Sequence, residues 1–98
     1  MTREEMVKIF KDHDEDFGEF QAIATPLSTR PDVNAFMLLD RLIPGRFNDL
    51  LTAADHDEIY LDVDPDAFAA VATEENIIDL IRCGIRYDDE EGEFRMFV

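Results

Sequence analysis

Near Asp57 the spacing of apolar residues changes from helical to strand-like, and that change decides the fold class. In the first half, Met6, Ile9, Phe10, His13, Phe17 and Phe20 recur at intervals of three and four, the stripe of an amphipathic helix. From Asp57 onward, Ile59, Leu61 and Val63 alternate with Glu58, Tyr60 and Asp62, the period of a half-buried strand. A chain of 98 residues is one domain's worth. One domain holding both periods is α+β, and residues 1–98 are read as a single acidic domain of that class.

The helical half is punctuated clearly at its ends. Thr2 followed by Glu5 is a capping-box pattern that opens the first helix. Asp14-Glu15-Asp16 and Gly18 weaken that helix beyond His13. Pro26 and Pro31 bracket a connection, after which Ser28, Thr29 or Asp32 caps a second helix. Val33, Phe36, Leu39, Leu42 and Ile43 are its expected buried face, and Pro44-Gly45 stops it. Phe47 to Ala54 reads as a short third helix with Phe47, Leu50 and Leu51 turned inward.

After the strand, Asp64 with Pro65 behind it starts a helix, and Thr73 starts another that Gly84 ends. Ile85-Arg86-Tyr87 and Phe94 to Val98 then flank an acidic turn containing Gly92, forming a C-terminal β-hairpin. The expected architecture is a small three- or four-stranded sheet with helices packed mainly on one face. In the last strand, Phe94, Met96 and Val98 face the core. Phe97 faces outward on what should be an edge strand, where it offers a docking point or a homodimer contact.

Charge decides which partners are admissible. The chain holds 24 acidic and 9 basic side chains, a net charge of −15. Nucleic acid and anionic membranes are therefore excluded as direct ligands, since both are held by clustered Lys and Arg. With hydrophobic residues at 46%, the chain is also too apolar for a disordered acidic tail. Residues 1–48 hold 9 acids and 6 bases, a net of −3, whereas residues 49–98 hold 15 acids and 3 bases, a net of −12. Self-repulsion at that density opposes compaction, so the second half is where a function is sought.

Several motifs that an acid-rich chain invites fail on inspection. Asp62-x-Asp64-x-Asp66 has the spacing that opens a calcium loop, but Ala67 and Thr73 stand where the loop needs Gly and a bidentate Glu. Asp12-x-Asp14-x-Asp16 fails likewise, with Phe17 and Ile23 at those positions. Two His-Asp pairs, at 13–14 and 56–57, provide too few ligands for a metal hydrolase. Ser28 sits in no nucleophile elbow, and Cys83, expected half-buried at a helix end, has no cysteine partner. No glycine loop for phosphate exists among Gly18, Gly45, Gly84 and Gly92. No catalytic residue, metal or cofactor is assigned, and the chain is read as no enzyme.

The acidic clusters remain. Closely spaced carboxylates on a rigid surface can imitate the phosphates of duplex DNA, which carries one charge per roughly 1.7 Å of axis. The expected function is a non-enzymatic acidic inhibitor that occupies a basic surface of a nuclease, a defence complex or another nucleic-acid-binding protein. The residues assigned to that surface are Asp55, Asp57, Glu58, Asp62, Asp64 and Asp66, then Asp88, Asp89, Glu90, Glu91 and Glu93, with Tyr60 or Phe97 as an apolar anchor. In size and charge alone, the chain is similar to small acidic inhibitors of phages and mobile elements. The alternatives are a toxin-specific immunity protein or antitoxin, and a structural or regulatory domain whose acidity serves solubility or life in high salt. The N-terminal stretch is charged from residue 3, and no apolar run, Ala35 to Leu39 included, approaches the length of a membrane span. A cytoplasmic protein is expected.

Overall fold

A computed structural model describes residues 1–98. Helix α1 spans Arg3–Asp12, α2 Pro31–Leu42, α3 Pro65–Val71 and α4 Glu74–Arg82. Strands β1 Leu51–Ala54, β2 Glu58–Leu61, β3 Ile85–Asp88 and β4 Glu93–Phe97 form one antiparallel sheet in the order β1-β2-β4-β3. The fold is α+β with a C-terminal pair of strands, as the change of period requires.

The helix starts follow local chemistry. Glu5 N–H donates to Thr2 Oγ1 and Thr2 N–H donates to Glu5 Oε1, closing the capping box of α1. Those hydrogen bonds from Thr2 hold the Glu5 carboxyl below its ordinary range. Asp64 accepts from the backbone of Asp66 and Ala67 ahead of Pro65, and Thr73 and Asn76 close a second box on α4. Gly84 (φ +97°) ends α4 in the left-handed region.

Three expectations for the first half are corrected. The segment from Phe47 to Ala54 is no helix: Phe47 sits at φ +62°, outside the helical region, and Leu51–Ala54 pairs with β2 as an edge strand. Phe47 is fully exposed and Leu51 is largely exposed, so neither turns inward. Helix α2 is capped by none of Ser28, Thr29 or Asp32; Arg30 precedes Pro31, whose ring presets φ and needs no donor partner. Val33 is surface-exposed, because α2 is turned so that Asn34, Ala35 and Leu39 face inward. Asn34 fixes that rotation. Its Oδ1 accepts from Leu27 N (2.6 Å) and Ser28 N (3.2 Å), and its Nδ2 donates to Cys83 Sγ at 3.2 Å.

The buried residues form one cluster, with Met6, Leu39, Phe68, Ile77, Leu80, Ile85, Phe94 and Met96 fully enclosed. Phe94 is its hub, with ring centroids 5.0 Å from Phe68, 4.9 Å from Tyr87 and 5.9 Å from Phe10. Cys83 is buried rather than half-buried, and desolvation pushes its thiol above the ordinary range.

The C-terminal strand is interior: β4 pairs with β2 on one side and β3 on the other. An edge-strand homodimer through it is therefore ruled out, since both of its ladders are already filled. The free edges belong to β1 and β3. Phe94 and Met96 face the core as expected, but Val98 lies past the end of the strand and is exposed.

Candidate acidic interface

The pleat sends alternate residues of each strand to opposite faces. Ile59 and Leu61 of β2, Phe94 and Met96 of β4, and Ile85 and Tyr87 of β3 lie on the helix-covered face. Glu58 and Tyr60, Glu93, Arg95 and Phe97, and Arg86 and Asp88 therefore share the other face, which carries the polar chemistry.

Arg95 sits at the centre of that face. Its Nη2 lies 3.1 Å from Asp88 Oδ2 and 3.4 Å from Glu93 Oε2, and its Nη1 lies 3.8 Å from Glu58 Oε2. Its guanidinium lies 5.1 Å from the centroid of the Tyr60 ring. Burial alone would lower the Arg95 pKa, but the charges of Asp88, Glu58, Tyr60 and Glu93 outweigh it and raise it. Three of the expected partner-facing acids thus share one cation within the sheet, and Tyr60 lies against Arg95 rather than standing free.

Others are committed to local structure. Asp88 Oδ1 accepts from Glu90 N (3.0 Å) and Glu91 N (3.2 Å), so it builds the 89–92 turn as well as pairing with Arg95. Asp64 caps α3, Asp55 Oδ1 accepts from His56 N, and Asp62 accepts from Asn48 Nδ2 at 3.0 Å. Asp66 lies 3.9 Å from Arg3, whose guanidinium also donates to Tyr87 Oη. Asp57, Asp89, Glu90 and Glu91 are exposed and make no ion pair within 4 Å.

The register places these acids at two ends of the sheet. Glu58 pairs with Phe97 and Leu61 with Phe94, so the 55–57 turn lies at one end of β2 and the 88–93 turn at the other. Asp62, Asp64 and Asp66 follow β2 out at the second end. Arg3 ties that group together, contacting Asp66 and Tyr87 and lying 3.1 Å from where a Cβ on Gly92 would stand. The second end therefore carries the larger cluster, with Asp55 and Asp57 opposite. Between Phe47 and Ile81 the chain has ten acidic side chains and no Lys or Arg.

Phe97 is only partly free. Its ring meets Phe17 edge-to-face at 5.8 Å, and Arg86 lies 4.2 Å from the Phe17 centroid and 5.0 Å from that of Phe97. Phe17 comes from the segment after α1, so the aromatic proposed as an anchor is already packed on one side.

His13, Glu15 and Asp16 place ligand atoms within 4.8 Å of one another. Both His13 ring nitrogens already face carboxylates, Asp16 at 3.3 Å and Glu74 at 3.4 Å, and Asp16 also faces Arg82 at 3.7 Å. Through His13 that arrangement is a polar bridge between the end of α1 and the start of α4.

Sequence reasoning missed Arg95 and the β1 edge. The signal for Arg95 was a lone cation at the polar phase of the Phe94–Met96 alternation, within reach of several acids. No helix is long and apolar enough to cross a membrane. Compared with protein-family models, curated proteins and solved structures, the chain finds no match in any of the three.

Proposed function

We propose that the chain is a non-enzymatic binding protein, acting in the cytoplasm, that occupies a basic surface on a nucleic-acid-binding partner by presenting carboxylates in place of phosphates. The observation that carries this reading is the unpaired set Asp89, Glu90 and Glu91, held by the Asp88-built turn beside Asp62 and Asp66. Solubility alone asks only for dispersed charge. Here a hydrogen-bonded turn concentrates acids that make no ion pair within 4 Å, while the nearby cations are engaged elsewhere, Arg95 on the sheet face and Arg3 with Asp66 and Tyr87. A surface of this kind gives fast, salt-sensitive association with a basic groove.

The test is capture of basic nucleic-acid-binding proteins from lysate on the immobilised chain, followed by elution with duplex DNA. Release by DNA and by moderate salt supports mimicry, because both compete for the same groove. A single partner that resists both points to an immunity or antitoxin role, and capture of no basic protein at any salt overturns the reading.

A further inference from the structure

We propose that the outer edge of β1 accepts an extended basic segment of a partner as a fifth strand of the sheet. The proposal rests on the reading of the acidic surface above and specifies the conformation of what binds there.

Strand β1 ends the sheet and pairs only with β2. Asp62 N–H donates to Leu50 O and Asp55 N–H donates to Glu58 O, and in register with the latter bond Ala53 faces Tyr60. These are the hydrogen-bonded rungs, so Leu51 and Ala54, lying between them, aim their N–H and C=O groups away from β2. Free edges are usually blunted by short length, a bulge, charge, proline or a covering element. Leu51-Thr52-Ala53-Ala54 is short and carries a bulge between Leu51 and Ala53, but it has no charge, no proline and no covering element, and all four residues are exposed. The other edge, β3, carries Arg86 and Asp88 and lies against α1, with Phe10 tilted onto Tyr87 at 6.0 Å.

Charge selects the occupant. A groove of about 420 Å³ opens beside β1 on the polar face, lined by Thr52, Ala53, Tyr60, Glu91, Glu93 and Arg95. Ala53 shares the face of Tyr60, so a strand added outside β1 places alternate side chains over that groove. Lys or Arg at those positions faces Glu91 at one end and Asp55 and Asp57 at the other. The intervening positions flank Leu51 and Ala54 and favour apolar side chains. The occupant is therefore an extended segment alternating basic and apolar residues, held by main-chain bonds with charge setting its phase. A second copy of this chain is disfavoured, because it brings another Asp49 and Asp55 and a second net charge of −15 to the seam.

The experiment titrates the full chain with a blocked peptide of alternating Lys and Val, and with a control peptide carrying Pro at the centre, followed by amide NMR and hydrogen exchange. The alternating peptide is expected to bind, to slow exchange at Leu51 and Ala54, and to exceed the control in affinity by at least about tenfold. Ala54→Pro removes an outward N–H and no bond within the sheet, so it should weaken binding by a similar factor. Ala54→Lys does the same by repulsion and serves if the proline variant fails to fold. If both peptides bind equally and Ala54→Pro or Ala54→Lys has no effect, while Glu91→Gln with Asp57→Asn abolishes binding, strand addition is overturned and the acidic surface stands. Failure of both peptides to bind at low salt overturns both. Dimerisation through Leu51 and Ala54 without peptide assigns the edge to a second copy and overturns the proposal.

Discussion

Arg95 on β4 reaches across to Asp88 on β3 with Nη2 3.1 Å from Oδ2, and through this contact the most acidic turn of the chain is fastened to the sheet. The same guanidinium faces Glu58 and Glu93, so three carboxylates converge on one cation. Removing the cation leaves three like charges close together, and Arg86, the cross-strand neighbour of Arg95, lies over the Phe17 and Phe97 rings and pairs with none of them.

Arg95→Leu should therefore lower Tm by several degrees at low ionic strength, and the deficit should shrink in high salt, where repulsion between the orphaned acids is screened. Arg95→Lys should recover part of the loss, since a point charge replaces the forked donor without its geometry. Thermal denaturation of the three proteins across a salt series checks this. A deficit that is unchanged by salt would assign Arg95 to packing over Tyr60 instead.

Asp88 and its neighbours in the turn should behave oppositely. Asp89→Asn, Glu90→Gln and Glu91→Gln together remove unpaired charge, so stability should hold or rise while affinity for a basic partner falls. Asp88→Asn alone should lower Tm, because its two oxygens bind Arg95 and the amides of Glu90 and Glu91. Parallel melting and binding measurements separate the two. Equal destabilisation by both variants would mean that the whole turn is structural.

How much of this was legible in the sequence depends on how local each cause is. The caps at Thr2, Asp64 and Thr73 and the left-handed stop at Gly84 were readable, because each is set by residues within one turn. The alternation at Ile59, Leu61, Phe94 and Met96 fixed which face of the sheet is buried. Strand β1 was not readable. Leu51-Thr52-Ala53-Ala54 suits a helix locally, and it becomes a strand only because β2 offers a partner. Strand order was likewise hidden: a terminal hairpin looks the same in sequence whether its last strand lies at an edge or inside. Among the site residues, the acids were visible as a set. Their division into those spent on Arg95, those building turns and those left unpaired needed the register.

Phe47 shows what local patterning conceals. It holds φ +62° with its side chain fully exposed, so its ring gains nothing from burial while its Cβ strains the backbone. Phe47→Gly should raise stability by a few tenths to about 1 kcal/mol, the relieved strain being partly offset by glycine's greater freedom in the unfolded chain. Denaturant titration measures this, and a loss of stability would show that the ring packs in solution. A simultaneous loss of partner affinity would assign the exposed ring to the interface.

Asp79 supplies the pH dependence. It projects from α4, and burial raises its pKa above the ordinary carboxylate value; Arg82, at 3.6 Å, lowers it and Glu75 raises it further, with the balance upward. A carboxyl whose folded pKa exceeds its unfolded one stabilises the fold most below the unfolded value, and that contribution is lost as pH rises through the folded value. At neutral pH the native protein therefore carries the cost of an ionised, partly buried Asp79. Asp79→Asn removes that cost, and Arg82 keeps Asp16 as its partner at 3.7 Å. The variant should be at least as stable as the parent at pH 7, and its advantage should vanish as the medium is acidified below the carboxylate range. Tm measured for both proteins from neutral to acidic pH tests the sign directly. A variant less stable at pH 7 but matched in acid would mean that the pairing with Arg82 outweighs burial.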